Sequence, residues 1–231
     1  NIKYVPATGD QQAETELPLK MFVVGDFKGQ PEETPIEDRK AISVDKNNFR
    51  SVMKEAGLSL KETGGLVYGR GPGSFTGVRI ATGMIQGLAL GTGLEVAGVS
   101  TLTAMAQQVI DTQGAGRIAC AIDARMGEVY FAQFTNVNGQ AELTGEEQVC
   151  PPEHAATLLS GDFARAGTGW MAYDELKQFG DEPPQVLYPD ALHMLKPGEG
   201  MFAGGMATSV DNIEPVYLRD KVTWKKLPGR E

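Results

Sequence analysis

The stretch YGRGPGSFTGVRIATG, residues 68–83, constrains this chain more than any other. Gly69, Gly71, Pro72 and Gly73 crowd the end of a strand reading, GGLVYG at 64–69. Ser74 and Thr76 then lead into a helix pattern from Phe75 to Leu90, with Val78, Ile85, Leu88 and Ala89 as its apolar face. A loop of this kind can hold an anion on the free N–H groups of the helix start, or it can simply turn the chain. A P-loop requires G-x-x-x-x-G-K-[ST], whose lysine meets the phosphates. Here Gly77, Val78 and Arg79 follow, with no lysine. A dinucleotide fingerprint requires G-x-G-x-x-G. The step from Gly73 to Gly77 is one residue too wide, and Pro72 offers no N–H. We read the loop as a strand-to-helix turn, with Gly71, Gly73 and Ser74 as the candidates should it hold an anion.

The same helix pattern carries Gly83, Gly87 and Gly91 at every fourth residue. Each interior glycine costs about 1 kcal/mol against alanine, so a helix that keeps three gains something from close approach. The approaching element belongs either to this chain or to a partner subunit.

Elsewhere strands and helices alternate. IKYV at 2–5, LKMFVVGDF at 19–27 and AISV at 41–44 read as strands, and NNFRSVMKEAG as a helix capped by Asp45 or Asn47 and ended by Gly57. That makes the order β-β-β-α-β through residue 69. EVAGVST at 95–101 is a strand whose Ser/Thr end caps the helix LTAMAQQVI. RIACAIDA and EVYFAQFT form a hairpin across RMG, and NVNG at 136–139 turns the chain again. PPEHAATLLSG and AYDELKQFG are short helices, FARAGTGW is a strand running into a Gly-Thr-Gly loop, and the tail is irregular. A seam near Ser100 divides the chain into two α/β lobes, 1–101 and 102–210, followed by a tail, 211–231, expected to pack back on the first lobe.

The net charge of -9 and isoelectric point of about 4.9 argue against direct binding of nucleic acid, so any RNA role requires a basic partner. Cys120 and Cys150 lie far apart and form no C-x-x-C, and His154 and His193 have no metal spacing, so we expect no metal site and no necessary disulfide. No apolar run reaches the length of a membrane span. The opening NIKYVPATGD has neither the basic leader nor the apolar core of a signal peptide, and the expected compartment is the cytoplasm.

Three other places carry side chains with possible chemistry. Asp123 sits with Arg125 and Glu128 at a hairpin turn, where a carboxylate could bind metal or polarise water, or only pair with the arginine. Gly167, Thr168 and Gly169 follow a strand, as a loop grazing a nucleotide base would, or as a plain turn. Ser74 lacks a histidine base, so a Ser-His-Asp triad is not expected.

Beyond residue 60 the chain resembles the TsaB (YeaZ) family. The resemblance rests on YGRGPGSFTGVRIATGMIQGLALG, GVSTLTAMAQ, CAIDARMGEVYFA, GTGW and EPVYLRDKVTWKKLPGRE, in the family's order. It implies a two-lobed actin-like, Hsp70-like α/β fold with mixed sheets flanked by helices. It also implies a non-catalytic scaffold of tRNA threonylcarbamoyladenosine biosynthesis that activates TsaD. The resemblance places ATP and metal on TsaD, with none on this chain, and adds TsaE as a further partner. A homodimer is a further possibility, and tRNA is met only through the complex. Arg79, Gly83, Met84, Gly87 and Gly91 are then the expected partner face. Residues 1–56 instead resemble the small sheath subunit of type VI secretion, TssB (VipA), and the hairpin and HTQ-containing helix that open TsaB proteins are missing. That leaves two rival readings: a sheath assembly protein, or an active nucleotide-binding actin-like transferase or peptidase.

Overall fold

A computed structural model describes residues 2–4, 15–17, 51 and 63–219 of the chain. The chain divides into two units, Asn1–Leu60 and Lys61–Glu231. In the first, β1 (Ile2–Tyr4) pairs antiparallel with β2 (Thr15–Leu17), with Ile2 opposite Leu17. The strands expected at 19–27 and 41–44 lie outside the described residues, as does all of the helix expected after Asn47 except Ser51, which is helical.

The second unit begins with β3 (Leu66–Gly71), α1 (Phe75–Thr92) and β4 (Val96–Ser100). β3 and β4 pair in parallel, an arrangement that needs a crossover of this length between them. The Ser74 side chain accepts the Gly77 N–H at 3.1 Å and starts α1; Gly93, at φ 70°, ends it. A Cβ on Gly77 would stand 2.7 Å from the Ser74 hydroxyl, so this cap requires glycine there. Val78, Thr82, Ile85 and Ala89 form the buried face of α1, and Ile85 and Ala89 pack with Leu66, Tyr68, Val96 and Ile213. Ser100 caps α2 (Thr101–Gln113), accepting the Leu102 N–H at 3.1 Å, and Gly114 closes it.

β5 (Arg117–Arg125), β6 (Glu128–Val137), β7 (Gln140–Cys150) and β8 (Ala164–Ala166) make a four-stranded sheet in the order β7-β6-β5-β8. Its β5–β8 pair is parallel and the others antiparallel, so the sheet is mixed. Side chains alternate across it. Ile118 and Cys120 meet Leu102, Met105, Ala106 and Val109 of α2. Ala119, Ala121, Val129 and Phe131 face the other way, onto Ala155 of α3 (Pro152–Thr157), Trp170 of α4 (Gly169–Ala172) and Leu176 of α5 (Asp174–Lys177). Helices therefore cover both faces. Each fully buried large side chain here contributes about 1.5–3 kcal/mol. The two cysteines are free and belong to cores on opposite faces of the sheet, and burial pushes the Cys150 thiol up to about 11.

Several elements were not anticipated, among them β7 and the helical segment after β8. β7 completes the meander through the Asn138–Gly139 turn, where both residues take positive φ. After β8 and its helices, a 3₁₀ turn (Ala191–Met194) runs into α6 (Leu195–Ala203), whose Gly198 lies so close to Val67 of β3 that a Cβ would collide with it. No helix among the described residues is long and apolar enough to cross a membrane.

Candidate functional site

The glycine loop lines a cleft of about 460 Å³ between the β3–α1–β4 half of this unit and the half built on the four-stranded sheet. Gly71, Gly73 and Ser74 form its edge, Met105 and Ile122 contribute apolar surface, and Thr168 and Tyr188 stand opposite. Among the described residues that line it, none is a lysine, arginine, histidine or carboxylate. The Ser74 hydroxyl is taken up by its own cap. Gly71, at φ 102°, passes so near the tail that a Cβ would stand 3.0 Å from the Val216 carbonyl. The described lining of the cleft thus consists of hydroxyls and apolar walls.

Asp123 does not reach into this cleft. Its Oδ1 accepts the Arg125 N–H at 2.9 Å and the Tyr173 hydroxyl at 2.8 Å, and Oδ2 pairs with the Arg125 guanidinium at 3.2 Å. Burial and then the bond to Asp123 raise the Tyr173 hydroxyl above its ordinary pKa. Arg125, Met126 and Gly127 all have positive φ at the turn. This local pairing is the structural alternative given for Asp123 from sequence.

Gly167 and Gly169 meet backbone. A Cβ on Gly167, at φ 105°, would overlap the Ala121 carbonyl, and one on Gly169 would stand 3.0 Å from that same oxygen. Only Thr168 between them lines the cleft, and its hydroxyl accepts the Asp123 N–H at 3.2 Å.

The residues proposed as a partner face lie on the outer side of α1. Gly83, Met84, Gly87, Leu90 and Gly91 are exposed, and no described residue comes within 4 Å of a Cβ built on any of the three glycines. Among the described residues, then, nothing in this chain uses the stripe. At the start of α1, the Arg79 guanidinium lies 3.5 Å above the Phe75 ring centroid and donates to the Tyr217 hydroxyl at 2.9 Å. Phe75 is 59% exposed and Tyr217 43%, so an arginine–aromatic cluster continues the exposed face.

The tail was expected on the first lobe; its individual partners, and its reach to the β5–β6 hairpin, were not read from the sequence. Tyr68 donates to the Glu214 carbonyl at 3.3 Å and Gln86 to the Ile213 carbonyl at 3.0 Å. Arg219 donates from Nε to Glu128 at 3.1 Å, and from Nη2 to that carboxylate and to the Ala124 and Arg125 carbonyls. Sequence reasoning also missed a polar knot around Asp111, which receives Gln107 at 2.8 Å, faces His193 Nδ1 at 2.7 Å and pairs with Lys196 at 3.6 Å. Burial alone would raise the Asp111 carboxyl. The hydrogen bonds with His193 and Gln107, with the Lys196 charge, outweigh it and hold the group below the usual carboxylate range.

A family model described as TsaD, tRNA N6-adenosine threonylcarbamoyltransferase, matches residues 46–193. A second, type VI secretion system VipA, matches residues 1–63. The tRNA threonylcarbamoyladenosine biosynthesis protein TsaB of Escherichia coli is 47% identical over 79% of this chain and 82% of its own length. TsaB of Haemophilus influenzae is 44% identical over 78% and 80%. Two solved structures from Pseudomonas aeruginosa are 40% identical: one of YeaZ, with TM-score 0.64 over 73% of this chain and 81% of its own, and one of a protein described as similar to peptidase YEAZ, with TM-score 0.65 over 74% and 80%. At that identity they share the two-lobed actin-like α/β fold expected from the sequence.

Proposed function

This chain belongs to the TsaB family of tRNA threonylcarbamoyladenosine biosynthesis proteins, and from that we propose that it is a non-catalytic scaffold that holds a TsaD-type subunit in its active arrangement. The observation that carries the reading is the exposed stripe of Gly83, Gly87 and Gly91, open to the close approach of a partner helix. Met84 and Leu90 beside it offer apolar surface, and Arg79 a charged anchor. In this reading nucleotide and metal belong to the partner. TsaE joins the same assembly, tRNA is met through the complex, and the compartment is the cytoplasm. Two copies of this chain paired through α1 are the homodimeric alternative.

Titration calorimetry of this chain against a TsaD-type subunit tests the docking face. Gly87→Leu should abolish the heat of association while the circular dichroism spectrum stays unchanged; equal affinity would remove the reading. The match of residues 1–63 to VipA favours a second reading, sheath assembly, which predicts co-purification into tubes with the large sheath subunit. An enzyme of its own would bind ATP, and ligand at a hundred times its Kd would stabilise the fold by about 2.7 kcal/mol. The scaffold reading predicts no thermal shift.

A further inference from the structure

We propose that residues 213–219 are a strap that fixes the arrangement of the two halves across the cleft, with Arg219 as its anchor. The strap begins on the β3–α1–β4 half. There Ile213 is buried in the core, its carbonyl takes Gln86 of α1, and the Val216 N–H donates to the Arg70 carbonyl of β3 at 3.1 Å. Tyr217 then lies against Phe75 and Arg79. Two residues later the chain has reached the other half, where Arg219 grips the β5–β6 hairpin.

Among the described residues, ion pairs across the same halves join Arg70 with Glu147 of β7 at 3.5 Å and Arg219 with Glu128. They differ in weight. Arg70 is 36% exposed and Glu147 9%, but among the described residues the pair is a single long contact without further hydrogen bonds to the guanidinium, a geometry of modest weight. Arg219 is 17% exposed and spends its fork on a carboxylate and two main-chain carbonyls, the geometry in which guanidinium contacts are strong and directional. The carbonyls it holds belong to the turn around Arg125 and Met126, whose positive φ gives that turn a fixed shape.

The strap therefore opposes the lobe closure by which a cleft of this architecture would trap a ligand. It keeps α1 and the Tyr217 cluster at one angle to the sheet. A chain held this way presents a preformed surface, and its partner spends no affinity on selecting a competent arrangement.

Spin labels at Glu95→Cys beside β4, away from the docking face, and Glu142→Cys on β7, in the full chain, read the distance between the halves; Cys120 and Cys150 are buried and stay unlabelled. The parent should give one narrow distance, and Arg219→Ala a distribution wider by about twofold or more. Glu128→Gln keeps both carbonyl contacts and should fall between; it alone decides the question if Arg219→Ala does not fold. Unchanged width and position in the folded variants would overturn the strap. The consequence for docking rests on the scaffold reading. If strap loss leaves a tenth of molecules competent, affinity for a TsaD-type subunit drops about tenfold. Broadened distances with no affinity for the partner even in the parent would contradict the scaffold reading and leave the strap standing.

Discussion

Single side chains decide where this fold starts and stops its elements. Ser74→Ala leaves the Gly77 N–H without its acceptor and should destabilise the chain by about 1 kcal/mol in urea titration, whereas Ser74→Gly should cost only a few tenths. Gly167→Ala should cost much more. Its positive φ alone is worth about 1–3 kcal/mol to a side-chain-bearing residue, and the added Cβ meets the Ala121 carbonyl besides. Asp111 contributes to the acid limb of stability. Its folded pKa lies below the unfolded value of about 3.9, so its contribution is complete above that value and is lost as pH falls through the folded one. Melting temperature measured downward from pH 5 should fall more steeply for the parent than for Asp111→Asn; parallel curves would contradict this.

At the scale of elements, α1 carries the central expectation. If its glycines serve only a partner, then the isolated chain gains by losing them. Gly87→Ala should raise stability by about 1 kcal/mol, because an exposed helix interior rewards alanine and no described neighbour is displaced. A drop in melting temperature would mean that something in the chain packs there after all. α1 and α2 were legible in the sequence because their signals are local: Ser74 and Ser100 at the starts, Gly93 and Gly114 at the ends, and an apolar period between. β7 was not, since its middle, residues 142–146, is exposed and its first partner is the β6 strand across a turn. α6 was not, since LKPGEGMFA contains Pro197 and two glycines and forms a helix only where Gly198 admits Val67 and Phe202 covers Gly65. The candidate site divides the same way. The stripe on α1 announced itself by period. The grip of Arg219 on Glu128, with its 91-residue separation, left no mark that spacing could expose.

For the whole molecule, the glycine loop that first suggested a phosphate site launches a helix and edges a cleft whose described lining is uncharged, while the exposed side of that helix stays unused by every described residue. The central claim is that this unused face activates a TsaD-type subunit. Purified TsaD-type subunit, TsaE, ATP, a preformed activated threonylcarbamoyl donor (threonylcarbamoyl-adenylate) and unmodified tRNA should yield threonylcarbamoyladenosine when this chain is added, and yield little with Gly87→Leu in its place. Equal modification with the parent and Gly87→Leu, or none with either, would contradict the account.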